Sequence, residues 1–146
     1  MRAQPVYLLD TNIISETRKG TRANRGVQRF SKELFASGVR AFISAPTFGE
    51  IRYGVERLRY RGDLEQAEVI ERWLTIVLRE YAGRILPFDE VCAQLWGRMM
   101  VPDRGSIVDK QIAAVAQAHQ LTLVTRNVRD FAQIGVPLLN PFTEDN

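Results

Sequence analysis

The chain has 146 residues, 45% hydrophobic and 25% charged, with 10 Gly and 6 Pro, a composition of ordinary globular domains that excludes collagenous, low-complexity and disordered classes. One cysteine excludes an internal disulfide or a CxxC metal or redox pair, no apolar run approaches the roughly 18 residues that span a bilayer, and the start Met1-Arg2-Ala3-Gln4-Pro5 has no apolar stretch of a signal peptide, so a single domain over residues 1–146, cytoplasmic and without a membrane partner, is expected. The formal net charge is only +3, but Arg18, Lys19, Arg22, Arg25, Arg29 and Lys32 follow one another with no acid between them, a density that suits a polyanion and equally suits a solvated helix face.

Val6-Tyr7-Leu8-Leu9 reads as a buried strand ended by the polar triplet Asp10-Thr11-Asn12. After a polar, Gly-containing connection, Val27, Phe30 and Leu34 mark one face of a helix from about Asn24 to Ser37. Ala41-Phe42-Ile43 is a second strand, and Pro46 signals a helix start. That helix carries Phe48, Ile51, Val55 and Leu58 on one face; a second, bearing Leu64, Ala67, Ile70, Leu74 and Val77, follows the Arg61-Gly62-Asp63 break, so the two should form a hairpin. Ile85-Leu86-Pro87-Phe88 is a third strand whose proline argues for its end, and Asp89 is a plausible N-cap for the helix bearing Val91, Leu95 and Met99. Ser106 opens an alanine-rich helix with Val108, Ile112 and Val115 on one face, Leu121–Val124 is the fourth strand, and Gly135–Leu139 can supply a short fifth. Short apolar strands alternating with helices indicate an α/β domain, a mainly parallel sheet covered on both faces.

In open parallel sheets, ligands bind in the crevice at the carboxyl ends of the strands. Four acids map to that edge: Asp10 after the first strand, Glu50 early in the helix after the second, Asp109 in the first turn of the helix before the fourth, and Asp130 just beyond the fourth. Converging carboxylates repel one another and raise a pKa unless a cation neutralises them. With no cysteine pair and the single histidine, His119, at the far end of its helix, a hard dication, Mg²⁺ or Mn²⁺, is favoured over zinc. Each acid also has a bland reading. Asp10 and Asp130 can serve turns or helix starts, and Thr47-x-x-Glu50 and Ser106-x-x-Asp109 have the form of capping boxes.

The ordered combination of Tyr7-Leu8-Leu9-Asp10-Thr11-Asn12, Ser44-x-x-Thr47-x-x-Glu50-Ile51-x-x-Gly54, Asp109-x-x-Ile112-Ala113-Ala114-x-Ala116 and Leu123-Val124-Thr125-Arg126-Asn127-x-x-Asp130-Phe131 resembles the successive motifs of PIN-domain ribonucleases. The segments Arg84–Asp89 and Gly135–Phe142 make the likeness strongest to the VapC/FitB-like toxins of type II toxin–antitoxin systems, over nearly the whole chain. That resemblance implies a Rossmann-like α/β/α sandwich and Mg²⁺- or Mn²⁺-dependent hydrolysis of RNA, leaving 5′-phosphate and 3′-hydroxyl ends. It implies Asp10, Glu50 and Asp109 as core acids and metal ligands, with Asp130 as the fourth and Asn127 standing where relatives can carry an acid. Thr11, Asn12, Thr125 and Asn127 would orient these groups or the phosphate. Lys110-Gln111 departs from the small or apolar residues usual after the third acid. The resemblance further implies a homodimer and a cognate VapB/FitA-like antitoxin wrapping the hairpin from about Thr47 to Tyr81. In that setting Arg18, Lys19, Arg22 and Arg25 become candidates to hold RNA. The alternative is a catalytically inert PIN-like module that binds nucleic acid or protein; a phosphorylated Asp10 is disfavoured because Asn12 stands where phosphatases of that kind carry a second aspartate.

Overall fold

Each of the short apolar runs becomes a strand of one sheet. In the computed structural model, which describes residues 6–144, β1 (Tyr7–Leu9), β2 (Ala41–Ser44), β3 (Ile85–Leu86), β4 (Thr122–Val124) and β5 (Leu138–Leu139) lie in the order β3-β2-β1-β4-β5. Every neighbouring pair is parallel, with Leu8 in register with Phe42 on one side and Leu123 on the other. The opening Met1–Pro5, which carries no apolar stretch of a signal peptide, lies outside the described residues. β3 stops immediately before Pro87, as a residue that cannot donate to the ladder requires.

The helices are α1 (Thr11–Thr17), α2 (Arg25–Ser37), α3 (Ala45–Tyr60), α4 (Leu64–Glu80), α5 (Glu90–Met99), α6 (Ile107–Ala118) and α7 (Val128–Phe131), with a 3-10 turn at Gly20–Arg22. Successive strand residues point to opposite faces, and the core divides accordingly. Leu8 and Leu123 pack with Cys92 of α5, Ile112–Ala116 of α6 and Phe131 of α7. Leu9, Ile43 and Val124 pack on the other face with Ile13 and Ile14 of α1, Ile51 of α3, and Leu74 and Val77 of α4. Three small side chains, Ala113, Ala114 and Ala116, are fully buried, so α6 can lie close to the sheet.

Two local readings need correction. Residues 11–17 form a helix of their own, which the sequence pattern did not separate from the connection after β1; with adjacent Ile13 and Ile14 as its buried apolar residues, α1 has no run long enough to show a period. Thr47-x-x-Glu50 is not a capping box. The helix starts at Ala45 with Ser44 as its boundary residue, so Thr47 already lies inside the first turn, fully buried. Asp89, by contrast, caps α5 by accepting from the Cys92 N–H at 3.0 Å. Ser106 caps α6 by accepting from the Asp109 N–H at 3.3 Å.

The C-terminal tail is tied to the start of α2. Asn24 Oδ1 accepts from the N–H groups of Gly26 and Thr143, both at 3.0 Å, while its Nδ2 donates to the Thr143 carbonyl at 2.9 Å. A Cβ on Gly26 would fall 2.0 Å from the Pro141 carbonyl oxygen, so the absence of a side chain is what lets the tail cross. Gly26→Ala should therefore destabilise the domain by about 1–3 kcal/mol, the overpacking outweighing a helix-propensity gain of about 1 kcal/mol. Urea unfolding of the two chains checks this; equal midpoints would disprove the close-approach account.

Candidate active site

The sheet order places β1 between β2 and β4, the point where successive connections leave in opposite directions and a crevice opens beyond the strand ends. Asp10 stands at that point, 2% exposed. Its N–H continues the ladder to the Val124 carbonyl at 2.9 Å. Its Oδ1 accepts from the Thr11 N–H at 2.8 Å, capping α1, and its Oδ2 accepts from the Thr125 hydroxyl at 2.7 Å and from Asn12 Nδ2 at 3.2 Å. Asn12 Oδ1 in turn accepts from the Arg126 N–H at 3.2 Å, and Thr125 Oγ1 accepts from the Asn127 N–H at 3.0 Å. The residues following β1 and β4 are thereby joined through one carboxylate.

Glu50 reaches the same edge from α3. Its Oε1 accepts from the Thr11 hydroxyl at 2.5 Å, and that hydroxyl lies 3.3 Å from Thr47 Oγ1, itself 3.3 Å from Ser44 Oγ. Thr11 therefore binds Asp10 through its backbone and Glu50 through its side chain. Asp109 comes from the first turn of α6, and Asp130 from α7; these two line one cleft. Asn127 contributes its N–H to Thr125, and it is Asp130 whose charge bears on Asp109.

Burial, chiefly, pushes the Asp10 carboxyl up to about 6; the bonds from Thr125 and Thr11 pull it down, and the charges of Asp109 and Glu50 add to the rise. Asp109 is raised as well, first by burial and then by Glu50 and Asp130, against the Ser106 bond. The acids thus act on one another across four elements, each raising the cost of charging its neighbour. None of the four forms an ion pair with a basic side chain among the described residues. The donor set is all oxygen, which fits a hard dication. Among the described residues no three His, Cys, Asp or Glu side chains already stand in an arrangement that could hold a metal ion, so the carboxylates are gathered at one edge without being closed into a cage.

The basic stripe is less free than its sequence suggests. Lys19 is paired with Glu16 at 3.0 Å, and Glu16, 8% exposed, also accepts from the Asn24 N–H at 2.8 Å. Burial opposes the charge on Glu16, but Lys19, the Asn24 N–H and Arg126 together hold its carboxyl below the ordinary value. Sequence reasoning gave Glu16 no role, although its position three residues before Lys19 is the spacing of a helical ion pair. The Arg18 guanidinium lies 5.9 Å from the Trp73 ring centroid, and Arg18 lines a groove of about 420 Å³ with Thr11, Glu50, Arg57 and Trp73. Arg22 and Arg25 are exposed, at the 3-10 turn and the first position of α2.

The PIN domain family matches residues 7–137 of the chain. The chain is 35% identical over 142 residues to Toxin FitB of Neisseria gonorrhoeae, across 94% of this chain and 99% of that protein. The crystal structure of FitAcB from that organism superposes with a TM-score of 0.76 at 34% identity, covering 93% and 98% of the two chains. A VapC ribonuclease of Sinorhizobium fredii is 28% identical over 149 residues, across 94% and 98%. A toxin–antitoxin complex from Klebsiella pneumoniae gives a TM-score of 0.62 at 25% identity, covering 93% and 98%.

The strain in the cluster makes a pH prediction. With its folded pKa raised from an ordinary 3.8 to about 6, Asp10 holds its proton more tightly folded than unfolded. Stability in metal-free buffer should thus fall as pH rises from about 4 to about 6, by at most about 3 kcal/mol. Asp10→Asn should melt above the unsubstituted chain at pH 7, by less than that limit because an amide nitrogen in place of Oδ2 leaves the Asn12 Nδ2 donor without its acceptor, and the difference should shrink toward pH 4. Melting curves across this range decide the matter; a gap independent of pH would contradict it.

Proposed function

The chain belongs to the PIN-domain family, and we propose that it is the ribonuclease toxin of a toxin–antitoxin pair, hydrolysing RNA phosphodiester bonds with Mg²⁺ or Mn²⁺ held by Asp10, Glu50, Asp109 and Asp130. The observation that carries this reading is the mutual influence of Asp10, Glu50 and Asp109, with Asp130 bearing on Asp109, at one edge of the sheet, none of them with a protein counter-cation among the described residues. A dication bound there would offset their repulsion, lower the pKa of water and stabilise charge on the leaving 3′-oxygen.

The protein's part is preorganisation. Three donors, from Thr11, Asn12 and Thr125, fix the Asp10 carboxylate, so its orientation is set before substrate arrives. The Thr11 hydroxyl does the same for Glu50 through Oε1, and no protein donor among the described residues engages Oε2. We assign Glu50 Oε2 the proton of the attacking water. In-line attack on phosphorus then breaks the bond to the 3′-oxygen, which takes a proton from solvent, leaving 5′-phosphate and 3′-hydroxyl ends. No side chain need become covalently attached.

The hairpin of α3 and α4 is the surface for an antitoxin. It presents Tyr53, Tyr60 and Leu64, each more than 60% exposed, and its inner side opens as the Arg18–Trp73 groove that reaches Glu50. An antitoxin segment laid there could carry a cationic side chain to the acids, giving inhibition by charge neutralisation and occlusion together.

Asp10→Asn and Asp109→Asn should each abolish RNA cleavage while the chain remains folded; EDTA should abolish cleavage by the unsubstituted chain, and Mg²⁺ or Mn²⁺ should restore it. End-labelling of the products should report 5′-phosphates. Cleavage at the unsubstituted rate in either variant, or in EDTA, would overturn the assignment, and a chain that neither binds Mn²⁺ nor cuts would be the inert module. Light scattering of the chain without its antitoxin should give about twice 16.7 kDa, and a strict monomer at micromolar concentration would refute the dimer.

A further inference from the structure

The acids have open space on two sides. One is the Arg18–Trp73 groove beside Glu50. The other is a cleft of about 660 Å³ between α5, the connection 100–106, α6 and α7, with Asp109 and Asp130 among its lining residues. We propose that this second cleft seats the nucleotide next to the scissile phosphate, with Arg98 and Lys110 holding its backbone phosphate and Met99, Ile134 and Gln133 receiving its base. The proposal rests on the ribonuclease reading and goes beyond it by assigning substrate contacts that neither the acidic cluster nor the basic stripe supplies.

Three features of the cleft fit this occupant. First, its volume lies within the range of pockets that enclose small organic ligands, about 300–1,000 Å³. Secondly, it offers mixed chemistry: Met99 and Ile134 are apolar surface for the flat face of a base, and Gln133 carries an amide with both a donor and an acceptor for a base edge. Thirdly, it holds two cations with no carboxylate partner among the described residues, even though Asp103, Asp109 and Asp130 line the same cleft. Lys110 Nζ donates to the Asp103 backbone carbonyl and rests against Gly105. A carbonyl fixes the position of the ammonium without cancelling its charge. A cation so held is ready for a phosphate oxygen, and it occupies the position immediately after Asp109.

The same arrangement explains why the arginine-rich stripe is an incomplete account of substrate binding. Lys19 is paired with Glu16, and Arg18 lies over Trp73 in the groove beside Glu50. An RNA strand crossing the acids needs positive charge on the far side too, because Asp109 and Asp130 repel its backbone there. Arg98 and Lys110 are the basic residues lining that side of the crossing.

The test uses full-length Asp10→Asn protein and a fluorescent single-stranded oligoribonucleotide of about 10 residues, with affinity measured by anisotropy against salt. Glutamine at both positions, Arg98→Gln with Lys110→Gln, removes charge while keeping an amide donor for the Asp103 carbonyl. Two lost phosphate contacts should flatten the slope of log affinity against log salt by about 1.4, so that between about 50 and about 200 mM salt the double variant loses about sevenfold less affinity than its parent. In the active background, Gln133→Ala should redistribute cut sites among bases in a random-sequence RNA pool. An unchanged slope together with unchanged cut sites, in a chain that cleaves RNA, overturns the cleft assignment and leaves the ribonuclease reading intact. If the unsubstituted chain neither cuts nor binds RNA, both fall. Melting temperatures within a few degrees of the parent establish that the variants are folded; should the double variant fail this, Arg98→Gln alone must flatten the slope by about 0.7.

Discussion

Burying a carboxylate at the end of a central strand is costly unless donors or a cation meet it, and this molecule is organised around one such group. Asp10 takes three hydrogen bonds, from Thr11, Asn12 and Thr125, so the residues that follow β1 and β4 converge on it. The donors recover part of the desolvation penalty, but they do not remove it, since the carboxyl remains pushed up to about 6. What is left over is an unspent preference for positive charge at the mouth of the crevice. Structure and chemistry are thereby coupled: the bonds that close the sheet edge also aim the acid, and the residual strain is what a bound dication would relieve.

Around that centre the positive charges fall into distinct uses. Lys19 stabilises a buried acid, Glu16, which also secures the Asn24 N–H at the turn into α2. Arg52 and Arg59 both grip Glu71, linking α3 to α4 on the hairpin's exposed side. Such exposed pairs contribute little stability each, but they fix the register of two helices whose outer faces carry exposed aromatic and aliphatic groups. Other cations border the acids, Arg18 and Arg57 beside Glu50 and Arg98 and Lys110 in the cleft of Asp109 and Asp130, and their distribution constrains the path a nucleic-acid strand can follow.

Much of this was legible in the sequence because it rests on local, repeated signals. Apolar runs of three or four residues gave the strands, three- and four-residue spacing gave α2 to α6, and Pro87 and Asp89 marked the boundary after β3. Where a signal was too short, reading failed. α1 has seven residues and no period to detect, and Thr47, which had the form of a capping-box residue, lies inside the first turn of α3, whose start Pro46 marked.

The sequence by itself determined the alternation of strands and helices and the sheet class, since these follow from periodicity, and it offered four acids as candidates from an ordered motif. Only the tertiary structure decided which of those groups act on one another. Asp10 and Thr125 are 115 residues apart yet share a hydrogen bond, and Thr11 reaches Glu50 across 39 residues. The cleft that Arg98 and Asp109 both line was equally invisible in one dimension. Spacing reports what lies on the same face of one element, whereas desolvation and Coulomb interaction depend on distance through space, which is set when the parallel sheet brings the ends of β1 and β4 side by side.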